Sequence, residues 1–258
     1  MLLAMPAGSG RDDLAQLIAA HGPEVRCADP ADRTEVAAAA AGCTALVHLP
    51  AEDPFIAGTS LVTQAESIAS VAAVAGARLV FCSSVLLYAD GGDDELMAND
   101  PELDPPAGLS GLADAELEVF GSRAEVMVLR LGIVLARGGP HARSLVGLLA
   151  QGQASSPQSQ VHLPLLDRST LARAIASVAG SQLHGGWDVV AATTTWAEVA
   201  DWAKAEGLVQ PAAAADPPAA GQPDPVWGVS RNVTGAALRG TGAVGEGDWR
   251  QILAGALK

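Results

Sequence analysis

The chain is short of tyrosine, lysine and cysteine, and each shortage removes a class of chemistry. Its 258 residues hold one tyrosine, Tyr88, and two lysines, Lys204 and Lys258. No tyrosine is followed by a lysine four residues later, because residue 92 is Gly92. Three cysteines, Cys27, Cys43 and Cys82, are widely spaced and form no CxxC or Cys/His ligand pattern. That spacing predicts no metal site and no disulfide framework, and an odd count fits a reducing compartment. Basic residues are also scarce: 15 Lys and Arg against 29 Asp and Glu leave a formal charge of -14. With no basic stripe, nucleic acid is not an expected partner, and the acidic surface reads as a solubility device. The opening "MLLAMPAGSGRDD" lacks the basic and apolar blocks of a signal peptide. No apolar run has the length of a membrane span. The expectation is a cytoplasmic protein with a small-molecule substrate.

What the chain does have is apolar residues, 49% of the total, arranged in short runs that alternate with helical patterns. Strands are expected at 2–5, 24–29, 43–50, 78–84, 125–136 and 185–190. Helices are expected at 13–22, 57–76, 108–121, 141–153, 168–180, 194–208 and 247–257. In the first helix Leu14, Leu17 and Ile18 share a face and Gly22 is the stop. A threonine is placed to cap the helix at 194–208. Strands that are apolar throughout and alternate with helices predict an α/β fold, a doubly wound parallel sheet. Residues 154–160 read as a loop. The Pro/Ala-rich stretch 210–225 reads as an exposed connector.

The fragments "HGPEVRCADP", "ALVHLP", "AGARLVFCSSVLLYAD", "PPAGLSGLADAE" and "VMVLRLGIVLARGG" follow in an order that resembles the extended short-chain dehydrogenase/reductase family, the NAD-dependent epimerase/dehydratase group. "STLARAI" and "GGWDVVAATTTWAEVADWAKAEG" resemble its later part. The resemblance implies a Rossmann-like core over 1–136, completed by about 168–192, and a smaller substrate lobe over 137–258. It also implies a homodimer or heterodimer through the helices at 57–76 and 107–120.

Against that family's motifs the chain departs sharply. Its glycine-rich turn, GxxGxxG, falls on Met5, Gly8 and Arg11, so one glycine of three stands in place, with Gly10 nearby. The resemblance marks Gly8, Gly10 and Arg11 as cofactor-binding positions, although Met5 and Arg11 would crowd a dinucleotide. Asp29 matches the acidic residue that binds the adenosine ribose and would favour NAD over NADP; it reads equally as a turn cap before Pro30. The YxxxK pair falls on Ala107 and Gly111 and is absent. The substrate-binding serine is present as Ser84, four residues before Tyr88.

Three functions follow. The first is a diverged small-molecule enzyme with redox-neutral chemistry such as isomerisation, elimination or cyclisation. Its candidate catalytic residues are Ser84, Tyr88 and His48, with His141 and His162 in regions able to line the pocket. Asp90, Asp93 and Asp94 are further candidate bases. The second is a binding or partner protein on the same fold. The third is a residual NAD-dependent oxidoreductase that uses Tyr88 as a substitute acid. The cofactor is either none or NAD(P), and Asp29 would favour NAD over NADP.

Overall fold

The computed structural model describes residues 1–8, 10–50, 60–96, 103–150, 160–208, 226–227 and 229–257. The expected connector at 210–225 and nearly all of the loop at 154–160 lie outside these.

The first half alternates as expected. β1 (Leu2–Ala4), α1 (Arg11–Ala19), β2 (Arg26–Ala28), α2 (Arg33–Ala40), β3 (Ala45–His48), α3 (Leu61–Ala75), β4 (Arg78–Ser84), α4 (Ser110–Gly121) and β5 (Val126–Leu131) follow in turn. Next come β6 (Ile133–Leu135), α5 (Pro140–Ala150), β7 (His162–Asp167), α6 (Arg168–Ala179) and β8 (Gly185–Val189). The chain ends with β9 (Ala192–Thr195), α7 (Trp196–Ala205), α8 (Ala236–Arg239) and α9 (Trp249–Leu257). One sheet has the order β2-β1-β3-β4-β5-β8, and every pairing in it is parallel. A second sheet, β6-β7-β9, pairs β6 with β7 in parallel and β7 with β9 antiparallel. The α/β doubly wound architecture is therefore the one observed.

The centre of the main sheet is buried on both faces, which is why its central strands carry no alternation. All seven residues of β4 are buried. Leu2, Leu3, Leu46, Val47, Leu79, Val80, Met127 and Val128 have no exposed surface. In α1, Leu14 and Ile18 are buried, while Leu17 lies at the rim. α3 packs on α4. On this pair Val74, Leu117 and Phe120 remain exposed.

The strand expected at 125–136 is two strands that belong to different sheets. They part at Gly132, where a Cβ would lie 2.8 Å from the Pro164 carbonyl oxygen. Only glycine lets the chain pass β7 so closely while it leaves the main sheet. The helix α2 has no counterpart among the expected helices, yet its signal is present. Asp32 Oδ1 accepts from the backbone N–H groups of Thr34 and Glu35, a side-chain N-cap. β7, β9 and α8 likewise go beyond the expected elements. At α7, Thr195 and Glu198 form a reciprocal capping box.

Candidate functional site

From β1 the chain runs through α1 to β2 on one side, then returns to place β3 on the other side of β1. The carboxyl ends of β1, β3, β4 and β5 therefore face the crevice where open α/β sheets bind ligands. Two stretches of this edge carry polar groups, and they differ in kind.

At the ends of β4 and β5 a narrow crevice is lined by Pro50, Cys82, Ser83, Ser84, Gly132 and His141, among others. Its cavity volume is about 10 Å³, room for one water. Ser84 ends β4, and its Oγ accepts from the Leu86 N–H at 3.1 Å, capping a single 3-10 turn at Val85–Leu87. Among the described residues its hydroxyl donates to nothing. Ser83 is 4% exposed, and its Oγ has no hydrogen-bond partner among them. Burial pushes the neighbouring Cys82 thiol up to about 12, so it stays protonated and is no nucleophile. His141, near the start of α5, is buried and meets Trp227 edge-on at 6.3 Å. The sequence marks His141 only as one of several histidines able to line a pocket, and the fold brings it to Ser83 and Ser84.

Tyr88 lies beyond the 3-10 turn and is 1% exposed. Its hydroxyl donates to Asp188 Oδ1 at 2.6 Å and accepts from Arg130 Nη1 at 3.3 Å. Arg130 in turn donates Nε–H to Glu116 at 3.1 Å and forms a buried ion pair with it through Nη2. Burial raises the Tyr88 pKa, and the Asp188 charge adds to the rise, outweighing Arg130. The hydroxyl is thus a committed donor inside a four-residue network, and Tyr88 does not line the crevice. No sequence signal pairs Tyr88 with Asp188, one hundred residues away.

His48 ends β3 with no exposed surface, and neither ring nitrogen has a partner among the described residues. It leans on Phe81, ring centroids 5.4 Å apart. Burial lowers its pKa to about 3, so it stays neutral, and it too is absent from the crevice lining. Of the candidate bases, Asp90 accepts from the Gly92 N–H and so closes its own turn. Asp93 lies 3.4 Å from His162 on the surface. Residues 229–234 hold this loop. Gly91 N–H donates to the Ser230 carbonyl, Leu96 N–H to that of Asn232, and Arg231 Nη2 to that of Leu86.

The second polar stretch is the turn from β1 into α1. Met5, at the first glycine position, is fully buried. Gly8 and Gly10 have φ of +79° and +76°, conformations that favour glycine. Arg11 opens α1 and lies 3.4 Å from Asp12. Burial pushes the Cys27 thiol on β2 up, and the nearby Arg11 charge offsets only part of that rise. Arg168, at the start of α6, packs directly on Gly10 and lies 3.8 Å from Asp13. Asp29 Oδ1 accepts from the Ala31 N–H at 2.9 Å, which caps the turn after β2. No group of three or more His, Cys, Asp or Glu able to hold a metal exists among the described residues, and no described helix is long and apolar enough to cross a membrane.

No protein-family model and no curated protein matches this chain. Solved structures do. The UDP-glucose 4-epimerase of Thermus thermophilus, in complex with NAD, superposes with a TM-score of 0.72 at 17% identity, covering 100% of this chain and 98% of that one. The human epimerase family protein SDR39U1, with NADPH, gives 0.71 at 18% identity, covering 100% and 98%. TunA, an NAD-dependent NDP-hexosamine 5,6-dehydratase of tunicamycin biosynthesis, gives 0.74 at 14% identity, covering 100% and 96%. These likenesses show the fold, the Rossmann-like α/β fold that the sequence resemblance implied.

Proposed function

We propose that this protein is a small-molecule enzyme that moves protons on an oxygen-bearing substrate without net oxidation or reduction. The observation that supports this is a water-sized void flanked by two serine side chains with unused bonding capacity. Such a void is a socket for one oxygen atom. Ser84 still has its hydroxyl proton to give, since its Oγ lone pair is used by the Leu86 N–H. Ser83 Oγ is buried with no partner among the described residues, so an oxygen in the void would relieve its desolvation.

Ser84 would donate to the substrate oxygen, and Ser83 would add a second hydrogen bond as negative charge develops there. His141 borders the same void and supplies an imidazole to take up and return a proton. The chain has no Tyr–Lys pair to protonate an alkoxide after hydride transfer. Isomerisation and elimination need only an oxygen polariser and a proton carrier, and those are what the crevice offers. The neighbours that act on nucleotide-linked sugars make such oxygen-rich molecules the first substrates to try.

The test is product mass. The full chain is incubated with a panel of nucleoside-diphosphate sugars and with a metabolite extract, and consumed species are followed by mass spectrometry. An isomer, or a product lighter by one water, is expected. Ser84→Ala should slow turnover by about 10²–10³-fold, and His141→Gln by about 10²–10⁴-fold. A product that differs by two hydrogens, or full turnover in both variants, overturns the reading.

A further inference from the structure

Structural neighbours are in complex with NAD or with NADPH, and in Rossmann-type folds the dinucleotide pyrophosphate sits at the turn from the first strand into the first helix. A dinucleotide lies there because backbone N–H groups and the helix dipole attract its pyrophosphate, and because glycines leave it room. Here the space beside Gly10 is filled and carboxylates already stand at the helix start, while the space beside Gly8 stays open.

Room is lost first. A Cβ built on Gly10 would lie 2.8 Å from Arg168 Cζ and 2.9 Å from its Nη1, and closer still to Nη2. The space beside Gly10 is therefore filled by a side chain of the protein itself. The filler comes from α6, which packs along α1 and so brings its first residue to the start of that helix. The first and third glycine positions carry Met5 and Arg11, one fully buried and the other a cation 3.4 Å from Asp12.

Charge is lost second. Asp12 and Asp13 occupy the first turn of α1, where carboxylates already take up the favourable end of the helix dipole. Each lies within ion-pair distance of one arginine, Arg11 with Asp12 and Arg168 with Asp13. The two cations are balanced by two anions of the same chain. A pyrophosphate entering here would meet those carboxylates and would have to displace Arg168 from Asp13.

We infer that Arg168 is a built-in occupant of the dinucleotide cradle and that this protein does not take up NAD or NADP. This deepens the redox-neutral reading and rests on the same fold, but its test reads binding rather than turnover. The full chain and Arg168→Ala are titrated with NAD, NADP and NADH by calorimetry, with NADH fluorescence as a second readout. The wild-type chain should show no binding at millimolar dinucleotide. Arg168→Ala, which empties the space beside Gly10, should gain affinity at least about tenfold, or 1.4 kcal/mol. Micromolar binding by the wild type overturns the inference. So does a folded Arg168→Ala variant that binds no better than wild type. Thermal unfolding of both proteins establishes that each is folded. Turnover of a substrate through Ser84 can persist in either case, so the two readings fail separately.

Discussion

Two groups of buried polar side chains meet in sequence at Ser83 and Tyr88, and they are treated in opposite ways. Tyr88, Asp188, Arg130 and Glu116 bond to one another in a buried network. Ser83 and His48, equally buried, have no partner among the described residues. A buried polar group without a partner costs roughly 1–3 kcal/mol, so a fold retains it only with a compensating use or a compensating neighbour. The network can be explained by stability alone. Ser83 cannot, because it borders a void in which an oxygen would satisfy it. His48 is absent from the lining of that void and leans on Phe81. The comparison separates polar residues that build the scaffold from those that await something.

The largest expected effect comes from opening the network. Arg130→Met removes the one cation and strands the Glu116 carboxylate in a buried site. A loss of about 3–5 kcal/mol is expected, read as the shift in a urea midpoint. A loss below about 1 kcal/mol would mean that water already reaches Glu116 and that the network is not closed.

His48 comes next, and its sign follows from its depressed pKa. In the unfolded chain it takes a proton below pH 6.5; in the folded chain it stays neutral until about pH 3. Between these limits the unfolded state binds more protons, so stability should fall as pH drops. Its share of the slope approaches about 1.4 kcal/mol per pH unit. His48→Phe should remove that share. An unchanged slope in urea titrations between about pH 4 and 6 would show that water relieves the imidazole.

The smallest effect is the sharpest for the site. Tyr88→Phe deletes one donor to Asp188 and should cost about 1–2 kcal/mol in stability. Turnover should stay within a few-fold of wild type, because the hydroxyl is committed inside the network. A fall as large as that of Ser84→Ala would return Tyr88 to the role of acid that its proximity to Ser84 suggested.

Much of the scaffold is legible in the residues. Continuous apolar strands such as "RLVFCSS" can only be buried on both faces, and that implies helices on both sides. Ser84 is also legible, since its position at a strand end needs only local reading. The limits lie where contacts span the chain. Asp188 is one hundred residues from Tyr88, and nothing in either neighbourhood announces the bond. Arg168 looks like an ordinary first residue of a helix, and its packing on Gly10 depends on how α6 lies along α1. His48 and His141 are both single histidines among apolar residues, and only the fold puts one inside the core and the other against the crevice. β7 escapes local reading because "HLPLLD" carries a proline, which weakens a strand pattern. The stretch 125–136 reads as one strand because apolar content does not change when a chain leaves one sheet for another.

The clamp on the loop after Ser84 has a consequence for how this chain comes into being. The last strand of the main sheet ends at Val189, and by then every described residue lining the crevice has been synthesised. The hydrogen bonds that hold the loop reach across sequence separations of 138 and 145 residues, from Ser230 to Gly92 and from Arg231 to Leu86. A nascent chain, or any fragment ending before residue 229, can own the whole sheet and both serines yet lack the clasp. Completion of the site therefore depends on contacts from the segment that begins at residue 229.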